Sequence, residues 1–387
     1  MKIQVERDVL ADAVAWTARA LPARPTVPVL AGMRLHAGAD LTLSSFDYDV
    51  SAQATIPVTT EEEGSALVSG RLLAEISRSL PAKPVQITSE GGKAVLSCGS
   101  ATFTLLTMPE EEYPALPEMP PAAGTVGSDA FASAVSQSAT AAGRDDTLPA
   151  LTGVRIEIDG DTLTLISTDR YRLAVRELRW TPARPDLSAA VLVPARALAE
   201  TARALTSGAE VAIALALPGE GDSADHGIGG AAAGGDGMIG FEGGGRRATT
   251  RLLGGEFPRH QALLPSHVNS TAEMATSLLA EAVKRVALVA ERNTAVRLAF
   301  TPGQLVLEAG TGDEAQAVEV LEAAYDGDEL SIAFNPQYLL DGLTAIDPDT
   351  VRMSFTEPGK PALITGKPAP DGHPDYRYLL MPIRLAG

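Results

Sequence analysis

The sequence predicts an α+β protein made of three similar domains in a row. Four short phrases recur three times in a fixed order, their apolar residues follow helical or strand periods, and aromatic residues make up only 4% of the chain. Self-similarity at a regular interval marks a repeated architecture. Scarce aromatics leave Ala, Leu and Val to pack several modest cores.

Each repeat opens with an amphipathic helix. Its apolar pairs are Val9/Leu10 and Ala13/Val14, then Ala130/Phe131 and Ala134/Val135, then Leu278/Leu279 and Ala282/Val283. Steps of three and four place such residues on one helical face. Next comes a strand with alternating Leu: LTLSSFDYD (41–49), LTLISTDRY (163–171) and LVLEAGTGD (305–313). Period two marks a strand with one buried face. A strand-then-helix phrase follows: ALVSGRLLAEISRSLP (66–81), AVLVPARALAETARALTSG (190–208) and LSIAFNPQYLLDGLTAI (330–346). In each, a β-type run meets Ser, Pro or Asn-Pro, residues that start helices. The helical stripes are Leu73, Ile76 and Leu80; Leu198, Ala202 and Leu205; and Leu339, Leu343 and Ile346. EEYPALP (111–117), GEFPRHQALLP (255–265) and PDYRYLLMP (374–382) are expected to close the repeats as strands.

Leu41 to Leu163 is 122 residues and Arg71 to Arg196 is 125, but Tyr113 to Phe257 is 144. The second repeat therefore carries an insertion, supplied by PGEGDSADHGIGGAAAGGDGMIGFEGGG (218–245). Its Gly, Ala and Asp content buries too little apolar surface to order itself, so 218–245 reads as a mobile loop. Domains at 1–122, 123–268 and 269–387 are the expected division.

The formal net charge is −18, from 49 acidic and 31 basic residues. That argues against a protein that coats nucleic acid with a broad basic face, while leaving room for a local basic stripe. Cys98 is the only cysteine, so neither an intrachain disulfide nor a thiolate metal cluster is available. Charges scattered through MKIQVERDVL break up any signal core, and no window approaches the roughly twenty apolar residues that cross a bilayer. A cytoplasmic location is expected.

Catalysis needs convergent polar groups. The histidines His36, His226, His260, His267 and His373 form neither HExxH nor a paired metal spacing, and the Gly-rich segment lacks G-K-[S/T]. Asp47 and Asp169 occupy equivalent places, where turn stabilisation fits better than a metal pair split between domains. No catalytic residue, metal or cofactor is expected.

The cations are more informative. Arg71, Glu75 and Arg78 lie at i, i+4 and i+7, and Arg196, Glu200 and Arg203 recur at the same offsets, whereas the third repeat has Gln337, Asp341 and Thr344. Such a stripe fits a solvated helix face with ion pairs worth a few tenths of a kcal/mol; it equally fits a face turned to DNA phosphate. Opening helices add Arg7, Arg19, Lys284 and Arg285, and Arg24 and Arg144 follow such helices.

MKIQVERDVL, RPTVPVLAGM (24–33), STDRYRLAVRE (167–177), GGEFPRHQALLP (254–265), FNPQYLLDGL (334–343) and LLMPIRL (379–385) stand in an order and spacing that are together specific. Through them the chain resembles the β subunit of bacterial DNA polymerase III, the replicative sliding clamp, nearly end to end apart from the Gly-rich insertion. The resemblance implies three repeated clamp domains per chain, closing as a head-to-tail homodimer into a six-domain ring with helices lining the hole. It implies a topological, sequence-independent hold on duplex DNA, a nucleoid-associated location, and as partners the DNA polymerase III α subunit, the clamp loader and other clamp-motif proteins.

By the same similarity, Arg24, Arg71, Arg78, Arg144, Arg196, Arg203, Lys284 and Arg285 are the candidate DNA-facing set. A partner-peptide pocket is implied at Leu151, Thr168, Tyr171, Arg172, Leu173, Pro258, Leu263, Asn335, Tyr338, Leu379, Met381, Pro382, Ile383 and Arg384. A dimer contact is implied between Phe103 and Leu105 on one side and Leu288 and Val289 on the other. Two departures bear on the pocket: Arg170-Tyr171 stands where many members have a small residue and His, and Ala386-Gly387 extends past the usual Arg-Leu ending. A back-up or resistance paralogue of the clamp would share nearly all of this pattern. An enzyme on the repeated fold would need a convergent acid, base or metal site.

Overall fold

The structure, a computed structural model, describes residues 1–217, 237–290, 295–310, 315–367 and 374–384. Among these residues one series of elements runs three times: a strand, a helix, five strands, a second helix and three strands. The helices are α1 (Arg7–Thr17), α2 (Gly70–Ser79), α3 (Ser128–Ala139), α4 (Ala195–Ala204), α5 (Thr276–Val286) and α6 (Pro336–Thr344). All three predicted stripes on the second helices are buried, Leu73, Leu198 and Leu339 completely. Each such side chain contributes about 1.5–3 kcal/mol by leaving water. On the opening helices the apolar face is one residue narrower than predicted: Val9, Ala130 and Leu278 are exposed in every repeat, while their following neighbours are buried.

Caps and backbone contacts absorb some of the cations. Arg7 donates from Nε to the Leu80 carbonyl at 3.0 Å and from Nη2 to that of Arg78 at 2.8 Å. Those carbonyls end α2, where no intrahelical donor remains. Arg19 donates to the Glu200 carbonyl at 2.9 Å and lies over the Trp16 ring.

The chain forms two compact units. The first comprises Met1–Ala132, Trp180–Leu187 and Ala197–Leu252. Its strands make one fourteen-stranded sheet, joined where Val50–Pro57 pairs antiparallel with Arg246–Arg251. A buried hydrogen bond between the Ser51 and Thr249 hydroxyls, 2.6 Å, crosses that seam. The second unit comprises Ser133–Arg179, Ser188–Arg196 and Leu253–Gly387. It holds a nine-stranded sheet and a four-stranded one, and in the larger Arg172–Arg179 pairs antiparallel with Tyr376–Leu380. Both seams use the same step, the fourth strand of one repeat against the ninth strand of the next.

Two sequence expectations change. The three closing phrases are not equivalent: only Tyr376–Leu380 is a strand, whereas 111–117 and 255–265 follow the ninth strand as extended chain with short 3₁₀ turns. Tyr113 and Phe257 are nevertheless true counterparts. Each is buried at the end of its domain, Tyr113 against Val29, Leu30 and Leu67, and Phe257 against Ile166, Leu173 and Leu192. The Gly-rich insertion is also shorter than predicted. Met238–Gly243 is a strand paired on both sides, with Glu210–Ala216 and Arg246–Arg251, because Ile239 and Phe241 alternate into the core. The part at 218–236 lies outside the described residues, as do His226, His373 and Ala386-Gly387.

Candidate functional site

The site grows from a tight turn between the strands Thr162–Thr168 and Arg172–Arg179. Asp169 Oδ1 accepts from the backbone N–H groups of Tyr171 at 3.0 Å and Arg172 at 3.1 Å. The equivalent Asp47 accepts from Asp49 at 3.0 Å and Val50 at 2.7 Å. The residue after each Asp has a left-handed backbone, φ 78° at Arg170 and 76° at Tyr48. Both aspartates therefore serve the turn, as the sequence suggested. Among the described residues no group of three His, Cys, Asp or Glu side chains could hold a metal ion.

The turn delivers Arg172 to the floor of a cleft. Arg172 is 5% exposed, donates from Nε to Asp169 Oδ2 at 2.9 Å, and donates from Nη1 to Asp341 Oδ2 on α6 at 2.6 Å. Its guanidinium lies 4.3 Å from the centre of the Tyr338 ring, and the Tyr171 ring packs 6.2 Å from that of Tyr338. Burial alone would depress the Arg172 pKa, but Tyr378, Asp341 and Asp169 outweigh it and hold the group charged. The Tyr338 phenol is raised by burial, and the Asp169 carboxylate adds to the effect. Asn335 caps α6, its Oδ1 accepting from Gln337 at 2.9 Å and Tyr338 at 3.1 Å, and so fixes the helix that carries Tyr338 and Asp341.

The cleft has a volume of about 550 Å³, enough for a few side chains. Of the predicted pocket residues, Leu151, Tyr171, Arg172 and Tyr338 line it. Thr168 lies beneath, its hydroxyl donating to the Arg172 carbonyl at 2.7 Å. Leu173 and Leu379 are buried in an apolar cluster with Phe257 and pack the wall from behind. Pro258, Leu263, Met381, Ile383 and Arg384 are exposed and Pro382 is half-buried, all outside the cleft lining. Backbone bonds from Met381 to the Tyr171 carbonyl, 2.9 Å, and from Ile383 to that of Ala333, 2.8 Å, hold 381–384 beside the turn. Arg144, Asp145, Leu148, Asp169, Arg170, Gln337 and Asp341 also line the cleft. Arg144 was expected among DNA-facing groups, and Asp341 stood only as an irregularity in the basic stripe.

The remaining cations divide by environment. Arg71 donates to the carbonyls of Pro22 at 3.0 Å and Ala23 at 2.8 Å, tying the exposed Arg24 segment to α2. Arg78, Arg196, Arg203 and Lys284 have exposed side chains on their helices. Arg285, also exposed, pairs with Glu319 at 2.5 Å and lies 3.8 Å from Glu281. Of the predicted dimer residues, Phe103, Leu288 and Val289 are at least partly accessible. Leu105 is only 5% exposed because it alternates into the core; its neighbour Leu106 faces out at 73%.

Comparison with known proteins settles the family. Residues 1–117, 125–259 and 261–384 match in turn the N-terminal, central and C-terminal domains of the DNA polymerase III beta subunit. The chain belongs to the DNA polymerase III β-subunit family. It is 60% identical over 390 residues to the beta sliding clamp of Streptomyces coelicolor, covering all of both chains. To the beta sliding clamp homolog GriR of Streptomyces muensis it is 43% identical over 388 residues, again covering both chains. The crystal structure of the Bacillus subtilis sliding clamp superposes with a TM-score of 0.87 at 26% identity over the whole of each chain. A Pseudomonas aeruginosa sliding clamp bound to griselimycin superposes at 0.86 with 28% identity, also over the whole of each chain. The clamp has three domains of mixed helix and sheet, and it acts as a processivity factor in DNA replication rather than as a catalyst. Among the described residues no helix is long and apolar enough to cross a membrane.

Proposed function

We propose that this clamp closes head to tail with a second copy into a six-domain ring around duplex DNA, with domains divided near 122/123 and 268/269. The repeated seam carries this reading. Fourth strands pair with ninth strands at Val50–Pro57 with Arg246–Arg251 and at Arg172–Arg179 with Tyr376–Leu380. The third domain's fourth strand, Ala317–Glu322, is left at a sheet edge with Val318 and Val320 exposed at 65% and 55%. The first domain's ninth strand, Ala101–Met108, pairs along one side with Lys93–Cys98 but on the other only at Thr107 and Met108. One more copy of the same step, between two chains, pairs these edges, which are otherwise a liability in solution. Phe103 and Leu105 on one side and Leu288 and Val289 on the other would lie at this contact, with Leu106 exposed on the opposite face of the strand.

Arg24, Arg71, Arg78, Arg144, Arg196, Arg203 and Lys284 are proposed to meet phosphate, with Arg285 a weaker member because Glu319 neutralises it. Each phosphate neutralised would steepen the log–log salt dependence by about 0.9, so few contacts suit a ring that must slide. The cleft beside the Asp169 turn, with Pro258, Leu263, Met381 and Ile383 on its approaches, is proposed to take short apolar-ended peptides of the polymerase α subunit, the clamp loader and other clamp-motif proteins. The ring model predicts that protein loaded onto nicked circular DNA is released when the DNA is linearised; unchanged retention would overturn it. For the cleft, a Gln-Leu-x-Leu-Phe peptide should bind Met381→Ala at least several-fold more weakly than wild type. Equal affinities would remove Met381 from the site.

A further inference from the structure

In a chain whose net charge is −18, the lining of the cleft carries three arginines, Arg144, Arg170 and Arg172, against three aspartates, Asp145, Asp169 and Asp341. Arg144 and Arg170 both line it and both are exposed. Among the described residues neither guanidinium has an ion-pair or hydrogen-bond partner. Asp169 and Asp341 hold Arg172, while Asp145 accepts from the Thr147 N–H at 3.0 Å and hydroxyl at 2.7 Å and also feels the Arg170 charge. Arg170 moreover occupies a left-handed backbone position, φ 78°, that Gly adopts at no steric cost. The first domain imposes the same backbone on Tyr48. The turn thus dictates the conformation and leaves the side chain open. In the second domain that freedom puts an arginine at a cleft that Tyr171, Tyr338, Leu148 and Leu151 also line.

We propose that Arg170, together with Arg144, makes this cleft select partner peptides that carry an Asp or Glu beside their apolar anchors. The proposal rests on the cleft being the partner-peptide site. A carboxylate arriving there would find two unpaired guanidinium groups, whose fork geometry suits it. The pairs stay partly solvated, so they tune the choice among partners rather than supply most of the affinity.

The test is a fluorescence-anisotropy titration of the full-length protein at low salt with Gln-Leu-Asp-Leu-Phe and with its neutral isostere Gln-Leu-Asn-Leu-Phe. Wild type should prefer the Asp peptide by about two- to fivefold, the range of exposed ion pairs. The preference should shrink as salt rises. Arg170→Gly keeps the backbone the turn requires, so its urea midpoint should equal or exceed wild type while the preference falls. The Arg144→Glu/Arg170→Glu double variant should reverse the preference. Equal binding of both peptides by wild type would overturn the proposal, as would a preference untouched in both variants. If neither peptide binds and Met381→Ala changes nothing, the cleft reading fails and this one with it. If the double variant alters only the salt dependence of DNA retention, the two arginines face phosphate and the peptide preference is refuted.

Discussion

Arg172 shows how much one side chain can organise. Buried between Asp169 and Asp341 and covered by Tyr338, it connects the turn, the helix α6 and the cleft floor. Removing one member of a buried ionic group leaves uncompensated charge and typically costs about 3–5 kcal/mol. Arg172→Met is therefore expected to lower stability by about 3 kcal/mol in urea unfolding and to weaken peptide binding. A loss below about 1 kcal/mol would mean the two carboxylates find other partners. Asp169 was legible in the sequence because Asp47 repeats it in the same phrase. Its partnership with Asp341 was not, since the residue that joins them lies 169 positions from Asp341 and no local period relates the two.

Among the elements, the second helices were the most readable. Three stripes at steps of three and four became three buried faces, because a helix has one geometry and these helices each have one core to meet. The segment 255–265 was misread for the opposite reason. Its Phe257 and Leu264 join an apolar cluster as strand residues would, but among the described residues its backbone joins no sheet and runs as extended chain with a short 3₁₀ turn. His260 within it is buried and kept neutral by that burial, with Glu157 opposing and Arg155 and Arg377 reinforcing. Its folded pKa lies below the usual value of about 6.5, so the unfolded chain takes up the proton first as pH falls. Stability should decline from about pH 6.5 down to the lower folded pKa, and His260→Gln should flatten that part of the urea-midpoint profile. An unchanged slope in the variant would assign the decline to other groups.

For the whole molecule, the proposed closure depends on edges rather than on any one contact. Val318 and Val320 were not singled out in the sequence, since AVEVLE reads equally as a strand with one buried face. The fold turns that face outward at a sheet edge. Val320→Asp is expected to convert dimer to monomer in sedimentation equilibrium while leaving the circular dichroism spectrum intact. A variant that remains dimeric would place the closing contact elsewhere.

The sequence by itself determined the threefold repeat, the buried helix stripes, the aspartate turns and the family, because these depend on local period and short-range chemistry. Only the tertiary structure decided which face of an alternating strand is free, as at Leu105 and Leu106, and which cations are already neutralised, as at Arg285. It also decided that Arg144 borders the cleft. Period two leaves a strand's two faces equivalent until another layer covers one, and an arginine's role is set by the carboxylates that reach it from distant parts of the chain.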